Sequence, residues 1–213
     1  MTATFEQCVF INCPFDKDYE PILQAVLFCV IYLGFTPKIA SQSNDSGENR
    51  LTRIQHLIEQ SKYSIHDLSR CVAAKKGEYF RLNMSFELGV DYGCREYFGN
   101  GRNAKKFLIL EEKNYQTKKA LSDLAGCDMQ AHDGKYENVI RKVRNWLVSE
   151  ANLSNTTDGA TKIIGAYTAD FQEWHYEQML SRGFSEDDIQ DYPTSELLTA
   201  MNEWMELGKP INE

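Results

Sequence analysis

The chain has 213 residues, 42% of them hydrophobic and 25% charged, as expected for a soluble α/β domain with a small appendage. Its net charge of −8 leaves no basic excess for a nucleic-acid backbone, so direct nucleic-acid binding is not expected. A membrane helix needs about 18 consecutive apolar residues; the longest run, 22–35, is interrupted by Gln24 and carries Tyr32 and Gly34.

Charge is unevenly placed. Residues 153–213 hold 3 Lys+Arg and 12 Asp+Glu, whereas residues 1–152 hold 20 and 19. Two units are therefore expected: an α/β domain over 1–152 and an acidic helical extension over 153–213. The start, Met1-Thr2-Ala3-Thr4-Phe5-Glu6, has neither a basic segment nor an apolar core, so it does not read as a signal peptide and a cytoplasmic location is expected. Six scattered cysteines form no C-x-x-C pair, and the four histidines show no ligand spacing; no metal site is expected.

In chain order, residues 8–12 form a short apolar run that reads as a buried strand ending in the loop Cys13-Pro14-Phe15-Asp16. Residues 19–33 read as a helix stopped by Gly34, and 35–40 as a second strand. A polar loop over 41–48 precedes a helix over 49–60, with Leu51, Ile54, Leu57 and Ile58 at helical spacing. Residues 63–68 form a third strand, and a loop through Lys75-Lys76-Gly77 leads to a helix over 82–97. Strand 106–110, a short helix over 117–124, a weak strand over 128–131 and an amphipathic helix over 136–148 follow. Residues 151–162 read as a linker. Beyond it, Phe171, Trp174, Met179 and Leu180 suggest one helix and residues 196–207 another.

Strands alternating with helical crossovers imply a parallel sheet covered on both faces. Five strands suggest the flavodoxin-like order 2-1-3-4-5, whose ligand crevice lies beyond the carboxyl ends of the strands. The chain has no G-x-G-x-x-G and no Walker A lysine loop. Segments converging on that crevice supply the candidates: Asn12, Pro14 and Phe15; Asp45 and Ser46, with Asn44 beside them; Asp67; and the helix start bearing Arg81, Asn83 and Glu87. Glu87 draws most attention, because Met84, Phe86 and Leu88 around it read as core formers and a Glu among them is either paired or tuned for chemistry. Structural roles stay open: Pro14 and Phe15 suit a plain turn, Asp45 and Ser46 any loop, Asp67 a capping role, and Arg81 an ion pair with Glu87. His66 reads as a structural histidine.

The run Arg81-x-Asn83-x-x-Phe86-Glu87-Leu88-Gly89, together with Val9-Phe10-Ile11 before a polar loop, resembles the TIR-like nucleotide-binding domains of bacterial antiphage defence proteins. It is also similar to the wider group that includes nucleoside 2-deoxyribosyltransferases. The resemblance covers residues 7–150. It implies that Glu87 is the catalytic carboxylate at the anomeric carbon of a ribose, with NAD+ as substrate and no cofactor, in a homo-oligomer that serves with a defence-system partner. Arg81 stands where deoxyribosyltransferases usually carry an aspartate, and their D-x-G-T run is absent. Arginine near a helix N-terminus suits a phosphate-bearing substrate, so the expectation moves from free nucleosides to nucleotides. The W-C-x-x-E element of eukaryotic TIR domains is not matched. The alternatives are a deoxyribosyltransferase and a non-catalytic module that binds a nucleotide signal or a partner.

Overall fold

The computed structural model describes residues 3–42, 45–71, 73, 76–77, 81–153 and 157–211. Strands β1 (Cys8–Asn12), β2 (Thr36–Lys38), β3 (Tyr63–Asp67), β4 (Lys106–Glu111) and β5 (Gln130–Ala131) form one all-parallel sheet in the order β2-β1-β3-β4-β5, as expected from the sequence. Every residue of β1 and β3 is buried, because crossover helices cover both faces. The second strand is shorter than expected. It lies at the sheet edge and pairs only with β1, the position at which Pro37 is tolerated. At the other edge, β5 pairs only with Leu110 and Glu111. Residues 106–109 of β4 therefore have no strand beside them on that side among the described residues. Arg95 stacks there, its guanidinium 4.5 Å from the Phe107 ring and 4.7 Å from that of Tyr92.

Helices α1 (Glu20–Tyr32) and α5 (Tyr136–Glu150) pack on one face of the sheet, and α2 (Arg50–Glu59) and α3 (Leu82–Tyr97) on the other; α4 (Gln116–Ala120) is a single short helix followed by a 3₁₀ turn. Residues 25–31 of α1 are all buried. A run of seven spans about two turns, so no side of α1 is left to water. The chain continues through helices α6 (Ala160–Gly165), α7 (Gln172–Ser181), α8 (Glu186–Gln190) and α9 (Thr194–Glu206), and residues of α6, of the stretch after it and of α9 cover the outer side of α1. A π-helical stretch, Ala166–Phe171, joins α6 to α7. The helix thus begins at Ala160, inside the segment read as linker, because Ile163 is buried against the same core. Phe28 of α1 is the hub: its ring lies 5.2–5.8 Å from those of Tyr167, Phe171, Trp204 and Tyr32. Among the described residues, no helix is long and apolar enough to cross a membrane.

Because Trp204 is 1% exposed within this shared core, Trp204→Ala is expected to cost about 3–5 kcal/mol, lowering the urea midpoint of the whole chain in a single transition. Tryptophan fluorescence and far-ultraviolet dichroism that separate into two transitions would show that the extension does not share the core.

Candidate active site

The first turn of α3 is tied to the sheet by the Asn12 side chain. The Asn12 amide, at the carboxyl end of β1, donates to the Met84 carbonyl at 2.8 Å and reaches His66 Nδ1 at 3.0 Å. This fixes the first turn of α3 over the sheet edge. The buried face of α3 then reads Met84, Glu87, Leu88 and Asp91, the i, i+3, i+4, i+7 spacing of an inward stripe. Phe86 falls outside the stripe and is 56% exposed, so it is not a core former as the sequence suggested.

Glu87 is 6% exposed. Its one ionic or hydrogen-bonding partner among the described residues is Arg50, whose Nη2 stands 3.9 Å from Oε1. Arg50 is the first residue of α2, placed there by the Asn49 cap, which accepts from the Thr52 N–H at 3.1 Å. The guanidinium also lies 5.7 Å from the centre of the Phe15 ring. Burial raises the Glu87 carboxyl above the usual carboxylate range, and Arg50 acts in the opposite direction. A poorly solvated carboxylate, a half-exposed cation and a 40% exposed aromatic ring thus meet at one edge.

The other expected residues divide. Arg81 is exposed and turns to Asp16, its Nη2 3.7 Å from Oδ2, rather than to Glu87. Arg70 also holds Asp16, at 2.9 Å, and this bond keeps the Asp16 carboxyl below its usual range. Pro14 is buried, and Asn83 and Ser46 are exposed. Asp45 is exposed, and its carboxylate accepts from the Gly47 N–H at 2.9 Å. Asn44 and Lys75 lie outside the described residues. Asn12 and Asp67 are 2% and 0% exposed, with the Asn12 side-chain NH2 group and the Asp67 carboxylate engaged by the protein itself.

Two buried polar networks flank the crevice, one on each face of the sheet, because His66 and Asp67 alternate along β3. On the α3 face, Asn12 donates to both Met84 and His66 Nδ1, so Nε2 carries the imidazole proton and donates to Asp91 Oδ2 at 3.1 Å. Lys105 Nζ lies 3.1 Å from Asp91 Oδ1 and donates to the Ile58 and Ser61 carbonyls. Burial pushes Asp91 upward, but the His66 hydrogen bond and nearby positive charge leave it below its usual range. On the α1 face, Asp67 accepts from Tyr19 Oη at 2.6 Å, from the Ser69 N–H at 2.9 Å, from the Ser69 hydroxyl and from His132 Nε2 at 3.0 Å. These bonds outweigh burial and hold Asp67 low.

Ser69, His132 and Asp67 resemble a hydrolase triad in composition but not in wiring. The Gly134 N–H donates to His132 Nδ1 at 3.1 Å, so Nε2 carries the proton and is no base toward Ser69. The group stitches β3, the start of α1 and the loop after β5 together. Sequence reasoning missed Tyr19, Asp91, Lys105 and His132; the four-residue step from Glu87 to Asp91 on one helix was the signal available for Asp91. Among the described residues, no three His, Cys, Asp or Glu side chains are placed to hold a metal ion.

Asp91→Ala, which strands the buried Lys105 charge, is expected to cost about 3–5 kcal/mol in chemical denaturation. Glu87→Gln is expected to melt no lower than the parent at pH 7. The raised folded value means that stability falls as pH rises from the unfolded pKa, about 4.3, through the folded one. The gain from Glu87→Gln should therefore disappear below about pH 4, a trend that melting curves across pH 3–8 would check. Asp67 and Asp91 have the opposite sign: their contribution is complete above about pH 4 and is lost as pH falls through their depressed folded values. No family model matches the chain, and no curated protein and no solved structure does either.

Proposed function

We propose that this protein is an N-glycosidase that cleaves the nicotinamide–ribose bond of NAD+ or a related nucleotide, with Glu87 as its catalytic carboxylate. The observation that carries the proposal is the setting of Glu87: buried, raised in pKa, and, among the described residues, paired ionically only with a half-exposed arginine at the carboxyl edge of the sheet. A structural carboxylate in this fold is dealt with differently, as Asp67 and Asp91 are, by several hydrogen bonds or charges. Glu87 carries an unrecovered desolvation cost, a trait of functional sites.

The chemistry asks for little more. Nicotinamide leaves as a neutral base, taking the electron pair of the C1′–N bond, and the ribose becomes oxocarbenium-like. A carboxylate in a water-poor site stabilises that cation or attacks C1′. Water then adds at C1′, and one proton is released with ADP-ribose. Phe15 offers its exposed face to the nicotinamide ring. Arg50 holds Glu87 in the free protein, and the substrate phosphates compete for its guanidinium, leaving Glu87 to the ribose. Arg81 and Asn83, exposed at the start of α3, stand ready for further phosphate and hydroxyl contacts, with Asp45 and Ser46 on the facing loop. The resemblance of the Arg81–Gly89 run extends the proposal to a cytoplasmic homo-oligomer acting with a partner in bacterial antiphage defence.

Glu87→Gln is expected to remain folded by circular dichroism and to lose about 10²–10⁴-fold in nicotinamide release from NAD+, the range of a catalytic acid–base or electrostatic group. Arg50→Ala should raise KM more than it lowers kcat. A folded Glu87→Gln protein with undiminished turnover would sink the assignment. Transfer of the ribosyl group to added free base, with no net hydrolysis, would replace it with a transferase.

A further inference from the structure

On the α1 side of the same edge lies a cleft of about 280 Å³, walled on one side by the β1–α1 turn and on the other by the α8–α9 connection. We infer that this cleft seats the uncharged nucleoside end of the substrate, so that the C-terminal helices choose the nucleotide whose bond Glu87 cleaves. The inference rests on the glycosidase reading above and adds to it a second subsite.

Phe15 joins the two places. It lines the cleft, and its ring also faces Arg50, which in turn contacts Glu87. One extended ligand can therefore reach both. The volume lies just below the usual ligand-pocket range of about 300–1,000 Å³, which suits one nucleoside and not a whole dinucleotide. Its floor is apolar, from Leu23, Leu27 and Leu197, as a flat base requires. Its rim is polar, with Gln24 from α1, Gln190 at the end of α8 and Asp191 from the connection. The amides and the carboxylate there can accept from ribose hydroxyls and an exocyclic amine, and the amide N–H groups can donate to ring nitrogens.

Charge fixes the direction in which the substrate lies. Glu20 and Asp191 border the cleft against a single Lys17, while the Asp16 carboxylate is already taken by Arg70 and Arg81. Phosphates are disfavoured in such a place and favoured beside Arg50 and Arg81. Among the described residues, the Asp191 carboxylate forms no ion pair, so it is free to meet a ligand.

The test uses adenosine as the probe, since it carries the base and ribose without phosphate. Calorimetry should show adenosine binding to the full chain, and the double variant Gln190→Ala/Asp191→Ala, altered at exposed positions, should bind it about tenfold more weakly, the loss of one or two hydrogen bonds. The preference for NAD+ over nicotinamide mononucleotide in KM should shrink by a similar factor. Adenosine affinity equal in parent and double variant, or no adenosine binding by the parent, would overturn the inference and leave the Glu87 assignment standing. Adenosine binding that is lost in the double variant, in a protein that releases no nicotinamide, would uphold the subsite and sink the glycosidase reading instead.

Discussion

Over residues 25–31 helix α1 is apolar on every side, and the architecture follows from that. A helix lying on a sheet ordinarily shows water one face; α1 cannot, because residues 25–31 are all buried. Something must cover its outer surface, and residues 160–206 do, through the Phe28, Tyr167, Phe171 and Trp204 rings. Covering α1 also brings the α8–α9 connection to the carboxyl edge of the sheet. The acidic extension is therefore both a lid on the core and a wall of the cleft beside Phe15.

The same edge shows how carboxylates are sorted. Asp67 and Asp91 are anchored from opposite faces of the sheet, Asp67 by several donors and Asp91 by His66 and the Lys105 charge, and each sits below its usual pKa range. Glu87 lies one helical turn from Asp91, yet its pKa is raised and its cation among the described residues is the distant Arg50. The Asn12 and His66 bonds that secure Asp91 also hold α3 in register, so the anchored acid positions the free one.

The sheet and its strand order were legible because β1 and β4 are short apolar runs between polar loops, β3 sets Tyr63 and Ile65 two apart between polar residues, and the intervening segments repeat at helical spacing. Glu87 was legible as an acid among core positions. Its partner was not: Arg50 reaches it across α2 and α3, a contact made by topology and not by spacing. Phe86 was misread because hydrophobicity alone does not say which side of a helix faces inward. The early start of α6 was hidden by the polar stretch before it, where only Ile163 and Ile164 signal burial.

The abbreviated β5 carries a further consequence. Among the described residues no strand pairs with residues 106–109 of β4 on that side, and an open strand invites a strand from another chain. Here Arg95 and Lys106 border the gap. A docking strand would have to strip water from the Arg95 guanidinium and prise it from the Phe107 and Tyr92 rings. That cost disfavours extension of the sheet along this side of β4.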